Sequence, residues 1–257
     1  TGFLRKSFLH LPSVGVAREQ KIWNQGILDW HDLMEAAPRF FRKGTASSVL
    51  DVLAAGEEAY KKRDLHFFAR NLPRDQAWRI LPEIDPELIA YLDIETTGLG
   101  HPPAAQSTTI TFYLGGEVLQ EFDPKKKRAL IKDVLSRSQL LVTFFGSAFD
   151  VPFLTREYEI PFEIPHVDLC FWLRRLGLKG GLKKIEKDIP QIPIRSAQDI
   201  DGYDAVRLWR WHERGVPNAL ETLLTYNAED TIVLEPLLHI ALGLESERQT
   251  FLKIPKM

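Results

Sequence analysis

The distribution of apolar residues divides the chain near residue 86. Over residues 1–85 the apolar residues recur at helical spacing, and no stretch there has the alternation typical of a strand. Pro82 and Pro86 follow, and proline disfavours helical backbone in the residue that precedes it. The pattern therefore predicts an N-terminal helical module over residues 1–85 and a second domain over residues 86–257.

One segment of the N-terminal module resembles a phosphate-binding element. A loop at residues 11–16 precedes two short predicted helices at residues 17–25 and 27–35. A helix, a glycine-containing hairpin and a second helix make up the helix-hairpin-helix element, whose backbone N–H groups bind a phosphate. That element usually has two glycines and only Gly15 is present here, so a helical packing module is the favoured interpretation.

Strand patterns begin at residue 88. Residues 88–92 form an unbroken apolar run, which is typical of a strand buried on both faces. Residues 107–114 and 117–122 are expected to pair as a hairpin across two glycines. Residues 140–145 form another continuous apolar run and are expected to be a fourth, buried strand.

The order of these elements predicts an α/β fold. A helix starting at Asp123 separates the hairpin from the fourth strand, so the first and fourth strands can lie parallel. This order resembles the ribonuclease H-like mixed β-sheet flanked by helices, with the first strand in the centre. The chain from residue 149 on is expected to be mostly helical and to end in a helix over residues 219–242, kinked by Pro236.

The first strand carries two carboxylates at its end. Strand side chains alternate between faces, so Asp93 and Glu95 point to one side and Ile94 to the other. Like charges this close raise each other's pKa unless a cation neutralises them, which favours a site for magnesium or manganese. The alternative is a strand whose acidic end reaches water.

Two further acidic motifs lie elsewhere in the chain. Asp150 follows a buried strand and a turn of small residues, where it also fits an ordinary helix N-cap. Tyr226 and Asp230 are four residues apart, so on a helix they share one face. Taken alone, this pair is equally compatible with a surface helix.

Together, the three motifs resemble those of the DEDD 3′–5′ exonuclease superfamily, which has a ribonuclease H-like fold. Asp93-Ile94-Glu95-Thr96-Thr97-Gly98-Leu99 resembles the first motif, and Phe149-Asp150 with Pro152 and Leu154 resembles the second. A tyrosine four residues before Asp230 is typical of the tyrosine (DEDDy) branch rather than the histidine branch. The resemblance covers residues 86–245.

The segment between the second and third motifs resembles the YprB-like bacterial group. The stretches that carry this similarity are residues 166–169, 174–176, 181–186 and 199–202. The N-terminal helical segment at residues 8–35 is also like that of the group.

The resemblance implies a metal-dependent 3′–5′ exonuclease. Such sites hold two divalent ions, Mg²⁺ or Mn²⁺, about 3.5–4 Å apart. The matching ligands are Asp93, Glu95 and Asp230, with Asp150 on the outer ion. One ion would activate water and the other would stabilise the leaving 3′ oxygen, while Tyr226 would orient the attacking water.

The expected partner is a single-stranded 3′ end of DNA or RNA. The candidate nucleic-acid contacts are Thr96, Phe145, Arg174, Arg175 and Lys183. Relatives tend to have asparagine at the position of Phe145, and phenylalanine removes that hydrogen-bonding group but can stack on a base of any kind. The basic residues can follow a phosphate backbone, and the alternative is a solvated basic surface.

Composition narrows the class of protein. Charged residues make up 26% of the 257 residues and the formal net charge is −2, so any nucleic-acid contact has to come from local basic patches. The single cysteine, Cys170, excludes a disulfide within the chain and fits a reducing compartment. The chain has no apolar stretch long enough for a bilayer and no signal-peptide core, so a soluble cytoplasmic protein is expected.

Two rival functions stay open at this point. One is a structure-specific endonuclease on the same fold. The other is a catalytically quiet nucleic-acid-binding or scaffold protein, which Phe145 favours and which the four carboxylates with Tyr226 disfavour.

Overall fold

The computed structural model describes residues 2–192 and 202–251, and the chain divides into two compact units. The first unit comprises Thr1–Asp85 together with Leu242–Met257, and the second comprises Pro86–Ala241. Residues 199–201, which belong to one of the YprB-like stretches, lie outside the described residues. Within the described ranges, no helix is both long enough and apolar enough to cross a membrane.

The first unit is helical, as its pattern predicts. Asp29 caps the second helix, because its side chain accepts the backbone N–H of Asp32 at 3.1 Å. Gly26 follows the first helix with a φ of 79°, a left-handed conformation that glycine adopts without strain. The α-helices that begin in this part of the chain are α1 (Val16–Asn24), α2 (Trp30–Phe40), α3 (Lys43–Lys61) and α4 (Leu65–Asn71).

A histidine is buried among aromatic rings in this unit. The ring of His10 lies 5.0 Å from that of Trp30 and 5.7 Å from that of Phe68, measured between centroids. Neither ring nitrogen of His10 has a hydrogen-bond partner among the described residues. Burial and the nearby Arg79 guanidinium lower the pKa of His10 from 6.5 to about 3.

The second unit contains a five-stranded mixed sheet. The strands are β1 (Ile89–Thr96), β2 (Ser107–Leu114), β3 (Glu117–Glu121), β4 (Leu140–Thr143) and β5 (His166–Asp168). Their spatial order is β3-β2-β1-β4-β5, so the acidic strand β1 is central, as predicted. It pairs antiparallel with β2 and parallel with β4. Gly115 and Gly116 form the hairpin turn with φ values of 57° and 80°, which suits two glycines.

The two faces of the sheet differ in chemistry. One face is apolar: Leu92 of β1 and Phe112 of β2 join a core cluster with Ile131 and Phe153 from two helices. On the other face, Asp93 lies opposite Thr111, and Glu95 lies opposite Thr109. The polar groups of these strands are therefore gathered on one face, against which a further helix packs.

Helices cover both faces of the sheet. Asp123 caps the crossover helix by accepting the backbone N–H of Lys125 at 3.0 Å. The helices are α5 (Pro124–Arg137), α6 (Asp150–Tyr158), α7 (Leu169–Arg175), α8 (Leu182–Asp188), α9 (Gly202–Glu213), α10 (Ala219–Ile232) and α11 (Leu234–Phe251).

Two expectations differ from the structure, and one strand was not expected. Strand β4 ends at Thr143 rather than at residue 145, because Phe145 has a φ of 66° and cannot continue a strand. Strand β5 is too short to stand out in the pattern. The predicted helix over residues 219–242 is two helices, interrupted at Val233. Pro236 has no N–H and its ring would clash with the carbonyl four residues earlier, so the helix ends at Ile232.

Candidate metal centre

Three carboxylates meet above the centre of the sheet. Asp93 and Glu95 project from β1, and Asp230 comes from α10. One carboxylate oxygen from each of these residues lies within 4.8 Å of those of the other two. The alternation of β1 therefore places two acids on the face that α10 covers, and the third arrives from residues far away in the sequence.

Helix α10 presents its functional side chains on one buried face. Asn227 directly follows Tyr226, and Asp230 lies about one helical turn further on, so the three side chains share one side of the helix. All three are buried, with exposed fractions of 4%, 0% and 7%. The alternative of a surface helix is therefore wrong for this stretch.

A polar residue that the sequence did not indicate as part of the site forms a hydrogen bond with Asp93. Asn227 donates a hydrogen bond from Nδ2 to Oδ2 of Asp93 at 2.6 Å. Its Oδ1 accepts hydrogen bonds from the hydroxyls of Thr109, at 2.9 Å, and Thr111, at 2.5 Å. Three side chains from two strands thus meet at one amide of α10, and no motif spacing could have signalled it.

The donor and acceptor roles in this hydrogen-bond network follow from its end at the carbonyl of Leu224. The backbone carbonyl of Leu224 can only accept, so Gln120 directs its Nε2 donors to that oxygen and to Oγ1 of Thr111, at 2.9 and 2.6 Å. The hydroxyl of Thr111 then gives its own proton to Oδ1 of Asn227. The amide of Asn227 is left with its donors towards Asp93.

Asp150 lies beside the three carboxylates. It is the first residue of α6, and the N-cap position belongs to Phe149 rather than to Asp150. Its Oδ1 instead accepts the backbone N–H of Ile94 at 3.1 Å, which fixes the start of α6 against the acidic strand. One oxygen of Asp150 is thus engaged with β1.

Burial and mutual repulsion perturb the acids. Loss of hydration raises the pKa of Glu95 well above 4.5, and the charges of Asp93 and Asp150 raise it further. The pKa of Asp150 is also raised well above 3.8, by burial first and then by the charge of Asp93, while the hydrogen bond from Ile94 opposes this shift. The site favours an added positive charge.

A lysine side chain lies beside the acids. Lys183, in the first turn of α8, has its Nζ 4.4 Å from the centroid of the Tyr226 ring. An ammonium group over an aromatic face is attracted by the electrons of the ring. The same charge lowers the pKa of Glu95, against the larger upward effects. Lys183 therefore links Tyr226 to the acidic cluster.

The other candidate nucleic-acid contacts lie on separate elements of the second unit. Thr96 is buried and its hydroxyl donates to the carbonyl of Gly98 at 2.8 Å, so it closes the turn after β1. Phe145 follows the end of β4 and is exposed. Arg174 and Arg175 end helix α7, with Arg174 exposed and Arg175 half-buried.

The turn after β4 is held by a single carboxylate. Oδ1 of Asp168 accepts the N–H of Phe145 at 2.9 Å and the N–H of Cys170 at 3.0 Å. Its Oδ2 accepts the N–H and the hydroxyl of Ser147 at 3.0 and 2.6 Å. Asp168 is therefore the N-cap of α7, and it also fixes the turn. His166 has a structural contact, a 2.8 Å hydrogen bond with Thr143 between neighbouring strands.

The donor set fits a hard divalent cation. Carboxylate oxygens are the ligands that magnesium and manganese prefer. Asp93, Glu95 and Asp230 bring three such groups within 4.8 Å of one another, and burial makes their mutual repulsion costly without a cation.

The chain matches a known family over much of its length. A family model described as the RNase_H superfamily matches residues 90–242, which is more than half of the chain and includes every candidate ligand. No curated protein matches the chain.

Proposed function

The chain belongs to the ribonuclease H superfamily, and on that premise we propose that it is a metal-dependent 3′–5′ exonuclease acting on nucleic-acid ends. Membership supports a nucleic-acid hydrolase, and nucleases of this superfamily use divalent metals. The observation that carries the proposal is the cluster of Asp93, Glu95 and Asp230 with Tyr226 one helical turn before Asp230. This combination resembles the tyrosine branch of the 3′–5′ exonucleases.

Four carboxylates would hold the cations. Asp93, Glu95 and Asp230 are the central ligands, and the second oxygen of Asp150 is the candidate for an outer ion. Divalent cations held there supply Lewis-acid stabilisation of the charge that develops on the phosphate oxygens. Asn227 keeps Asp93 oriented by its 2.6 Å hydrogen bond.

Tyr226 and Lys183 have different roles in this proposal. Tyr226 orients the attacking water through its hydroxyl. A hydroxyl can hold a water by hydrogen bonding, and this positioning is the role that we assign to Tyr226. Lys183, whose ammonium lies 4.4 Å from the Tyr226 ring, adds positive charge next to the phosphate in the transition state.

A catalytically quiet nucleic-acid-binding protein is the second candidate. The observation that favours it is Phe145, which stands where relatives of the resembling family tend to have a hydrogen-bonding asparagine. An exposed aromatic ring binds a strand without positioning its phosphate.

The test uses single strands of DNA and RNA labelled at the 5′ end, with magnesium or manganese. We expect a ladder of products that shorten from the 3′ end, and no cleavage of a circular single strand. Asp93→Asn should abolish the ladder, while Asp133→Asn, the same change at an exposed acid of α5, should keep it. Linearisation of the circular strand would establish an endonuclease instead, and binding without cleavage would establish the quiet candidate.

A further inference from the structure

We propose that Phe145 and Phe171 form a stacking platform for the bases of an unpaired nucleic-acid strand at the edge of the metal centre. This inference rests on the proposed function and specifies its substrate. It assigns a binding role to Phe171, which no motif indicated, and gives Phe145 a partner.

The two rings form an exposed aromatic pair. Their centroids are 5.9 Å apart and their planes differ by 36°. Phe145 is 46% exposed and Phe171 is 40% exposed, although large aromatic side chains are ordinarily covered. The guanidinium carbon of Arg174 lies 6.0 Å from the centroid of the Phe171 ring. Two aromatic faces with an adjacent cation suit an anionic polymer that carries flat bases.

The backbone at Phe145 is held in an unfavourable conformation. A φ of 66° is left-handed, which costs a phenylalanine about 1 kcal/mol or more, since its β-carbon approaches the backbone. The carboxylate of Asp168 retains this conformation by accepting the N–H groups of Phe145 and Ser147. The structure thus holds a strained backbone at a position where an apolar ring is exposed to water.

The pair and the acids lie at the same end of the sheet. Strands β1 and β4 run parallel, with Tyr91 paired to Val142, so the turn at Phe145 leaves the same edge of the sheet as Asp93 and Glu95. This turn leads directly to Asp150, whose carboxylate contacts Ile94 of β1. A base on the rings would therefore belong to a strand whose end reaches the carboxylates.

The chemistry of the platform defines the substrate class. Phenylalanine rings have no donor or acceptor, so the platform binds any base and reads no sequence. Stacking requires bases that are not stacked in a duplex. The substrate is therefore a single strand or a frayed end of any sequence, and a blunt duplex has to open before its end is bound.

Binding to labelled strands tests the platform. The full chain carrying Asp93→Asn is titrated with a thymidine homopolymer and with a strand of equal length whose residues near the 3′ end lack bases. We expect the normal strand to bind more tightly than the abasic one by about 10-fold or more. Adding Phe145→Leu and Phe171→Leu should remove this preference. Phe122→Leu, a change at a similarly exposed ring at the end of β3, should preserve it.

The outcomes separate the platform from the nuclease. If the wild type cleaves ends but the double change leaves the base preference intact, the platform is overturned and the exonuclease stands. If no strand is cleaved but the preference depends on both rings, the platform stands and the exonuclease fails. Equal binding of normal and abasic strands by the parent protein overturns the platform. A preference for bases that appears only when a protein partner is added overturns it as well.

Discussion

Asn227 donates a 2.6 Å hydrogen bond to Asp93 across the interface between α10 and the central strand. The amide is completely buried, and the two threonines of β2 hold its oxygen on the opposite side. An acid of the candidate metal centre is therefore oriented by a polar network that begins at a backbone carbonyl of α10. Such outer partners affect metal affinity without contacting the metal.

Asn227→Asp should weaken metal activation. The change keeps the shape of the side chain but replaces a donor with another negative charge beside Asp93. We expect activity at limiting manganese to fall about 10- to 100-fold, and the half-activating manganese concentration to rise. Titration of nuclease rate against manganese measures both. Asn71→Asp, at an exposed position of α4, is the control, and an unchanged manganese requirement in Asn227→Asp would show that the network is only structural.

Tyr226→Phe should fold normally and lose catalytic rate more than affinity. The ring is buried against Lys183, so phenylalanine keeps the packing and removes only the hydroxyl. We expect kcat to fall about 100-fold or more with little change in KM. Steady-state kinetics on an end-labelled strand separates the two. A higher KM at an unchanged kcat would make Tyr226 a binding residue.

Lys183→Met should lower kcat/KM and Lys184→Met should not. The two lysines are neighbours in sequence, but Lys183 lies over the Tyr226 ring, whereas Lys184 is exposed and pairs with Asp188 at 3.0 Å. We expect a loss of about 10- to 100-fold for Lys183→Met, as for a group that stabilises developing charge. Equal effects of the two substitutions would point to a general electrostatic attraction of the strand rather than to a place in the site.

Manganese should raise the melting temperature of the wild-type protein. Binding to the folded state alone stabilises it by roughly 2.7 kcal/mol at a hundredfold excess over Kd. The double variant Asp93→Asn, Glu95→Gln should melt higher than the wild type in chelator, because burial and repulsion raise the pKa of Glu95 in the folded protein. It should respond little to manganese. Equal responses of the two proteins would place the metal elsewhere.

Acid should destabilise the first unit through His10. The pKa of this residue is 6.5 in the unfolded chain and about 3 in the folded protein. A lowered folded-state pKa means that the contribution to stability is complete above pH 6.5 and is lost as the pH falls towards 3. His10→Phe should therefore reduce the loss of unfolding free energy in this window, measured by denaturant titration at several pH values. His31→Phe, at an exposed position, should leave this loss unchanged. If His10→Phe keeps the wild-type dependence of unfolding free energy on pH, His10 is not the cause.

Local pattern was sufficient for much of the fold. The limits of β2, the glycine turn and the cap of α5 all follow from residues close together in sequence. The alternation of β1 also correctly places Asp93 and Glu95 on one face, since a strand allows no other arrangement.

Long-range contacts explain what the pattern missed. Lys127 lies in a run of four basic residues, a pattern typical of a solvated surface, yet it is buried and donates to the carbonyl of Ser107 at 2.6 Å. Asn227 contacts groups that are more than a hundred residues away in sequence. Phe145 stops β4 by a backbone conformation that its apolar side chain does not reveal. In each case, a distant part of the chain decides the role of the residue.

The carboxylate of Asp168 joins the turn at Phe145 to helix α7, which carries Phe171. If the turn or the start of α7 moved away, the side chain of Asp168 would lose N–H donors. The turn and α7 are therefore expected to move together. The rings thus keep their spacing before any strand arrives. Because the two rings are already held in place, the protein loses little conformational entropy when a base stacks on them. Most of the attraction between ring and base therefore contributes to binding affinity.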